Sequence, residues 1–205
     1  MILIVGTPGS GKTTFANTLS CHLAGIPVIC TDIIKVCFEE KSPTILSKVS
    51  HTAWELVGEC TDENIIAGYQ MFARELFHYS LEVAKKMFET YNTIIIEGLG
   101  IAPDIVQELP YQVICIHVTN KHSSDGYMNK LVYRTKKVNN WTQKEWLLNI
   151  IGEFIKAEFK KQEKYLSIDI QDSDKAISYV IQQLNGRGCT NHEENKASSC
   201  EYHID

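Results

Sequence analysis

The sequence predicts an α/β fold in which helices cover both faces of a central parallel sheet of five strands. Short, continuous apolar runs, such as residues 1–5 and 112–118, are typical of strands buried in a parallel sheet. Between such runs lie longer segments, the clearest at 62–91, in which apolar residues recur every three or four positions. Strands that alternate with helices in this way favour a parallel sheet with crossover helices.

The elements follow from the pattern in chain order. Strands are expected at the apolar runs 1–5, 27–30, 93–96, 112–118 and 165–170. Helices are expected at 12–24, 33–38, 62–91, 143–164 and from 173 to about 184, and 39–50 is interpreted as a loop or short helix. In parallel sheets of this kind ligands bind at the carboxyl ends of the strands, so the loops after the strands are the first place to look for chemistry.

Residues that favour capping positions mark where several of these helices begin. Thr142 followed by Glu145 has the spacing of a capping box, in which each residue satisfies a free amide of the first turn. The expected caps are, in chain order, Thr31 or Asp32, Asp62, Thr142, and Asp172 or Ser173.

Length and composition indicate one domain followed by a tail. The 205 residues suit a single α/β domain, expected at 1–185, with a mixed polar segment at about 120–141 that could form a lid. Residues 186–205 are polar and lack periodicity, so we expect a disordered C-terminal tail. The tail contains two equally spaced Cys-x-x-His pairs, and zinc binding by these side chains stays an open alternative: Cys189, His192, Cys200 and His203.

The charge and hydropathy of the chain argue against two classes of partner. A formal charge of -5 argues against non-specific nucleic-acid binding, which usually shows a basic stripe. No stretch approaches the roughly 20 apolar residues that span a bilayer, and no targeting segment is recognisable. We therefore expect a cytoplasmic protein with neither a nucleic-acid nor a membrane partner, and its cysteines to be reduced.

The segment after the first strand matches the P-loop (Walker A) pattern G-x-x-x-x-G-K-[ST]. Its glycines permit backbone torsions closed to other residues, so that successive amides can converge on phosphate oxygens at the start of a helix. Lys12 adds a positive charge for the β and γ phosphates, and the Thr13 hydroxyl is placed to ligate Mg²⁺. The pattern predicts a three-layer P-loop NTPase fold that binds ATP and Mg²⁺ through Gly6, Pro8, Gly9, Ser10, Gly11, Lys12, Thr13 and Thr14.

Acidic side chains follow the second and third predicted strands. Asp32 could orient the hydroxyl of an acceptor and take its proton, or hold a water bound to Mg²⁺. Glu97 could hold Mg²⁺ through water or orient the nucleophile. A helix cap for Asp32 and a solvated strand end for Glu97 are the structural alternatives.

Arg134 is one of three arginines in the chain and lies in the segment expected to form the lid. Its planar guanidinium matches phosphate geometry, so it could neutralise charge on a phosphoryl group in transfer. We predict Lys12, Asp32, Glu97 and Arg134 as the catalytic residues, with a solvated basic surface as the alternative for Arg134.

Several further segments resemble the 2-phosphoglycerate kinase group of P-loop kinases. Beside the P-loop, the resemblance rests on Cys30-Thr-Asp-Ile-Ile-Lys35, Ser50-His-Thr-Ala-Trp54, Ile66-Ala-Gly-Tyr-Gln70 and Ile94-Ile-Ile-Glu-Gly98. It implies a nucleoside-kinase-like sheet and ATP-dependent phosphorylation of a small phosphorylated hydroxy acid. By matching position it also implies that the following residues line or support the acceptor site: Asp32, Lys35, Ser50, Thr52, Trp54, Tyr69, Gln70 and Glu97.

Two departures from the family pattern leave the acceptor open. Lys35 stands where the family tends to have arginine, and His51 where it tends to have an aromatic residue. An ammonium lacks the fixed fork with which arginine binds an anion in two places, so the acceptor need not be 2-phosphoglycerate itself. A nucleoside or nucleoside monophosphate kinase, and a non-catalytic module regulated by nucleotide, stay as alternatives.

Overall fold

The computed structural model describes residues 1–119 and 141–186. Five strands form one sheet: β1 Ile2–Val5, β2 Val28–Cys30, β3 Ile95–Glu97, β4 Ile114–Thr119 and β5 Tyr165–Asp169. Their order is β2-β3-β1-β4-β5, and every neighbouring pair is parallel. The predicted central sheet of five parallel strands is confirmed, and its middle strand, β1, leads directly into the P-loop segment.

The described helices connect these strands and lie on both sides of the sheet. They are α1 Lys12–His22, α2 Thr31–Phe38, α3 Pro43–Leu46, α4 Asp62–Met87, α5 Pro103–Val106, α6 Trp141–Phe159 and α7 Ser173–Gly186, with a 3-10 helix at Ala53–Leu56. In the part of the chain that the structure describes, no helix has the length and apolarity to cross a membrane.

Alternate residues of β1 divide the core into two layers. Leu3 and Val5 belong to a core that includes residues of α4 and α6, whereas Ile2 and Ile4 pack in a core with residues of α1 and α7. Successive strand residues point to opposite faces, so a strand that is apolar throughout is buried on both sides. The predicted three-layer arrangement is confirmed.

Two predicted helix caps are wrong, and helix α2 begins two residues earlier than predicted. Helix α2 follows β2 without a loop, so Thr31 and Asp32 are already helical and Cys30 holds the cap position. The Thr31 hydroxyl instead accepts a hydrogen bond from the amide of Gly100, 3.3 Å away. In α4 the cap is Thr61, whose hydroxyl accepts from the amide of Asn64, and the expected cap Asp62 is the first helical residue.

The ends of the longer helices also differ from the predicted bounds. Helix α4 ends at Met87, not near 91, because the chain turns there and stacks Phe88 on Tyr111 with ring centroids 4.7 Å apart. Helix α6 already includes Thr142, so that residue is not its cap. It ends at Phe159, before the predicted 164, because the following residues turn into β5. The predicted cap Asp172 does accept a hydrogen bond from the amide of Lys175, in the first turn of α7.

Candidate active site

The P-loop segment joins β1 to α1 in a conformation that only glycine can adopt at key points. Gly6, Gly9 and Gly11 have φ angles of 152°, 81° and 90°. A Cβ atom on Gly6 would lie 2.3 Å from the carbonyl oxygen of Val118, and one on Gly11 would lie 2.3 Å from the side chain of Ile170. The loop therefore curls tightly against the carboxyl ends of β4 and β5, which leaves its concave side open.

Lys12 lies at the first position of α1 and is 9% exposed. Its ammonium donates a hydrogen bond to the carbonyl oxygen of Thr7 at 3.0 Å, so the side chain folds back over the loop. Burial lowers the pKa of Lys12, and the carboxylates of Glu97 and Asp32 oppose that effect. The amine thus lies within the field of both predicted acidic residues.

Glu97 ends β3, the strand beside β1, and is 1% exposed. Its Oε1 atom accepts a hydrogen bond of 3.0 Å from the Thr13 hydroxyl. A carboxylate at this depth needs hydrogen-bond donors or a cation to offset its lost hydration. The exposed Thr13 and the buried Glu97 therefore bring two side-chain oxygens together at the mouth of the P-loop, a donor set that suits Mg²⁺.

The loop itself has the features of a polyphosphate site. The Ser10 hydroxyl is fully buried and has no hydrogen-bond partner among the described residues. The curled glycines, the buried ammonium and the helix start at α1 all favour an anion at the centre of the loop. The residues present thus fit a nucleoside polyphosphate with Mg²⁺.

One cavity of about 410 Å³ joins this loop to the acceptor side. Asp32 and Lys35 enter it from α2, the first helix after β2, and Glu97 from the end of β3. Of the predicted site residues, the structure brings the following to the wall of this cavity: Pro8, Gly9, Gly11, Lys12, Thr13, Thr14, Asp32, Lys35 and Glu97. Gly6 and Ser10 belong to the loop but do not line the cavity.

The remaining wall is formed by Val49, Ser50, His51, Phe72, Gly98, Leu99 and Lys144. Ser50 is among the residues that the family resemblance implies for the acceptor site, and the other six were not predicted. His51 belongs to the same segment as Ser50, which is the signal that could have found it. Lys144 and Phe72 have no such signal, because only the packing of α6 and α4 turns them toward the cavity.

His51 and Lys144 influence each other across this wall. Burial, followed by the nearby Lys144 ammonium, lowers the pKa of His51 to about 4. His51 is therefore neutral at pH 7 and offers one ring nitrogen as donor and the other as acceptor. Lys144 and Lys35 are cations on this wall, and Lys35 lies 3.5 Å from Glu39, the residue that follows its helix.

Trp54, Tyr69 and Gln70, predicted to bind the acceptor, do not line the cavity. Tyr69 is 1% exposed because it faces the core from α4, and its hydroxyl donates to the carbonyl oxygen of Leu99 at 3.1 Å. Trp54 packs, partly buried, against the same core. Tyr69 thus supports the loop that follows Glu97, which corrects its expected role as a contact for the acceptor.

The predicted lid cannot be placed in this site. Arg134 and the segment at 120–140 lie outside the described residues, as do Cys189, His192, Cys200 and His203 of the proposed zinc site. Arg74 of α4 pairs with Asp104 at 2.7 Å and does not line the cavity.

Helix α6 touches the P-loop as well as the cavity. Gly152 lies so close to the loop that a Cβ atom there would be 2.6 Å from the methyl group of Thr7. Glycine inside a helix costs about 1 kcal/mol relative to alanine, and this close approach accounts for its presence. The helix that contributes Lys144 is therefore packed directly on the phosphate end of the site.

The sheet and the cradle together define a nucleotide-binding domain with the P-loop kinase fold. Shikimate kinase of Bacteroides thetaiotaomicron superposes with a TM-score of 0.52 at 19% identity, covering 90% of this chain and 97% of that one. A sugar kinase of Janibacter gives a TM-score of 0.51 at 16% identity, over 90% and 93% of the two chains. At these identities the likeness establishes the fold.

Sequence relatives of known activity show which P-loop kinases the chain is similar to. The 2-phosphoglycerate kinase of Pyrococcus furiosus is 25% identical over 195 residues, which are 90% of this chain and 63% of that protein. That of Pyrococcus horikoshii is 32% identical over 113 residues, 52% and 37% of the two chains. Mevalonate-3-phosphate 5-kinase of Thermoplasma acidophilum is 27% identical over 111 residues, 53% and 55%.

These relatives confirm the resemblance to the 2-phosphoglycerate kinase-like P-loop kinases, and they support a phosphotransferase. The chain spans between 37% and 63% of their lengths. No protein-family model matches the chain.

Proposed function

We propose that this protein is an ATP-dependent small-molecule kinase that transfers the γ-phosphoryl group to a small, phosphorylated hydroxy acid. One observation carries the proposal: a single cavity joins the phosphate cradle to a carboxylate, Asp32, and to cations beyond it, Lys35 and Lys144. An acceptor hydroxyl near Asp32 would thus lie between the nucleotide and a wall that attracts anions.

The phosphate end would hold the nucleotide through backbone amides of the P-loop and the ammonium of Lys12. Mg²⁺, when bound, supplies positive charge that neutralises the phosphate oxygens during transfer. Thr13 and Glu97 would hold it, because their side-chain oxygens lie 3.0 Å apart beside the loop. Positioning and electrostatic stabilisation would provide most of the rate enhancement.

At the acceptor end, Asp32 would orient the hydroxyl and receive its proton. The hydroxyl oxygen forms a bond to the γ phosphorus while the bond from that phosphorus to the β–γ bridging oxygen breaks, which releases ADP. Lys35 and Lys144 would balance the charge of an anionic acceptor. A role for Arg134 in this transfer stays a prediction from the sequence.

The relatives favour an acceptor of this chemical class. Their names specify 2-phosphoglycerate and mevalonate 3-phosphate, both hydroxy acids that already carry a phosphate. Two lysines in the cavity wall, Lys35 and Lys144, suit an acceptor that carries negative charge. The cytoplasmic location and the absence of nucleic-acid or membrane partners remain expectations from composition.

An acceptor screen tests the proposal. Purified protein with ATP and Mg²⁺ would be offered phosphorylated hydroxy acids, nucleosides and nucleoside monophosphates, with ADP release measured and products identified by ³¹P NMR. We expect ADP formation that depends on a phosphorylated hydroxy acid. If only a nucleoside or a nucleoside monophosphate increased ADP release, the protein would instead be a nucleoside or nucleotide kinase. Nucleotide binding without turnover across the panel would favour a regulatory module instead.

A further inference from the structure

A closed turn holds Ser50 and His51 at the wall of the cavity. The amide of Thr52 donates a hydrogen bond to the carbonyl oxygen of Val49 at 2.9 Å, and the amide of Val49 donates to the Thr52 hydroxyl at 3.3 Å. The two residues between them, Ser50 and His51, both line the cavity. The turn thus fixes their backbone by its own hydrogen bonds.

The 3-10 helix that follows this turn is anchored directly on α4. Its first residue, Ala53, is fully buried. A Cβ atom on Gly68 of α4 would lie 2.4 Å from the amide nitrogen of Trp54 and 2.6 Å from the carbonyl oxygen of Ala53. Backbones in such close contact leave little room for either element to shift. Core packing therefore sets the position of the turn before a ligand binds.

Both side chains of the turn have hydrogen-bonding capacity to offer a ligand. Ser50 is only 8% exposed, yet its hydroxyl makes no hydrogen bond to a described residue. Buried hydroxyls are nearly always hydrogen-bonded, because an unmade bond is costly. The half-buried His51 ring likewise makes no hydrogen bond within the described ranges. A molecule in the cavity can therefore accept hydrogen bonds from both residues.

The surroundings of these two donors favour a singly charged anion. Phe72 of α4 is 4% exposed and, with Leu99, gives the cavity an apolar side, where hydrogen bonds to a charged group are stronger than in water. Lys144 lines the same cavity and is near enough for its charge to act on His51. One ammonium with two uncharged donors matches the single charge of a carboxylate. A phosphate monoester carries about -2 near neutral pH and would need more positive charge.

We infer that Ser50 and His51 form, with Lys144, the subsite that binds the carboxylate of the acceptor and makes the kinase specific for hydroxy acids. The inference rests on the proposed function and names the acceptor group that this wall recognises. Asp32 would orient the acceptor hydroxyl, and Lys35 of the same helix would remain for the phosphate that the acceptor already carries. An imidazole can donate an N–H in either protonation state, so the contact does not depend on the charge of His51.

Two acceptors that differ only at the carboxylate test the inference. One is the phosphorylated hydroxy acid that gives the fastest ADP release in the acceptor screen. The other is its analogue with the carboxylate reduced to a hydroxymethyl group, which for 2-phosphoglycerate is glycerol 2-phosphate. Steady-state kinetics would give kcat and KM for each. In the unmodified chain kcat/KM should be about 100-fold higher for the acid, because the analogue leaves the donors of the subsite without their charged partner.

Variants of the two donors should change this preference through KM. His51→Phe keeps a ring but removes its donor, so the KM of the acid should rise about tenfold with kcat within about 2-fold. The KM of the analogue should stay the same. His51→Gln keeps an N–H donor, so the KM of the acid should rise less than about 3-fold. Ser50→Ala should raise it about 5-fold.

Ser80→Ala and His22→Phe are the matched controls. Ser80 is buried in α4, where its hydroxyl donates to the carbonyl oxygen of Leu76 at 2.9 Å, and His22 is exposed at the end of α1. Neither residue lines the cavity. Both variants should keep the KM of the unmodified chain for each acceptor. Calorimetry should give the same ATP affinity for all variants, which shows that the P-loop is intact in each.

Three results would overturn the inference. They are an unmodified chain that uses the analogue as well as the acid, an equal rise in KM for both acceptors in His51→Phe, and a KM for the acid that is unchanged in both His51→Phe and Ser50→Ala. A different result marks the failure of the proposed function. If no phosphorylated hydroxy acid increases ADP release by the unmodified chain, the proposed function fails first and the carboxylate subsite fails with it.

Discussion

The two ends of the cavity are built in different ways. The phosphate end consists of consecutive residues, 6–14, whose backbone conformation does most of the work. The acceptor end is assembled from side chains that lie far apart in the sequence, such as Asp32, His51 and Lys144. A contiguous backbone site depends on local conformation, whereas an assembled site depends on the packing of every element that contributes to it. Substitutions at the two ends should therefore affect different measured properties of the protein.

The largest effect is expected at the phosphate end, from Lys12→Ala. The ammonium is the buried side-chain cation of the P-loop, so its loss should lower turnover about 10³-fold and weaken ATP binding. Steady-state kinetics and calorimetry would measure both effects. The exposed Lys86, replaced by alanine, is a matched control and should change neither. Turnover within tenfold of the unmodified chain would contradict the assignment of this loop.

Asp32→Asn tests the point where the two ends meet. The amide keeps the shape of the side chain but cannot accept the hydroxyl proton, so kcat should fall about 10²-fold while ATP affinity stays unchanged. Stopped-time ADP assays with the acceptor found in the screen would measure the rate. Asp104→Asn, which alters an acidic residue paired with Arg74 away from the cavity, should leave kcat unaffected. An equal loss in both variants would remove Asp32 from the mechanism.

The scaffold of the phosphate end should be sensitive to acid through His117. This residue of β4 is 4% exposed, its Nδ1 has no hydrogen-bond partner in the described ranges, and burial lowers its pKa to about 4, with smaller effects from Lys156 and Lys12. The unfolded chain, with an ordinary histidine pKa, binds the proton first as pH falls. The contribution of neutral His117 to the unfolding free energy is therefore fully present above about pH 6.5 and is lost as the pH falls toward 4.

Urea unfolding of His117→Gln tests whether His117 makes the protein less stable as the pH falls. Between pH 7.5 and 4.5 the unmodified chain should lose about 2 kcal/mol more unfolding free energy than the variant, because glutamine does not titrate. Parallel pH profiles for His117→Gln and the unmodified chain would show that His117 is not held neutral.

A smaller effect is expected at the acceptor wall, from Lys35. Lys35→Ala removes one of two cations from this end, so the acceptor KM should rise about tenfold with little change in ATP affinity. Lys35→Arg keeps the positive charge, so its acceptor KM should rise less than that of Lys35→Ala. Lys41→Ala, a nearby lysine that lies over the Phe38 ring, is the control. A KM that is the same in all three variants would argue against an anionic acceptor at this wall.

The sequence was informative where a short segment determines its own structure. The P-loop pattern predicted the glycine conformations, and the apolar runs predicted the strands, because both are local properties. Tyr69 shows the limit: the family resemblance implied that it lines or supports the acceptor site, and only the packed structure shows that it supports the Leu99 backbone from the core. Lys144 was missed because its position depends on how α6 sits on the sheet, which no local pattern encodes.

Helix α6 contacts both ends of the cavity. Lys144 and Gly152 are eight positions apart in one helix, a rise of about 12 Å, and they contact the acceptor wall and the P-loop respectively. If α6 shifted when an acceptor binds near Lys144, Gly152 would move with it and push against Thr7 of the P-loop. Both binding sites would then depend on the position of the same helix, so the binding of one substrate would affect the binding of the other.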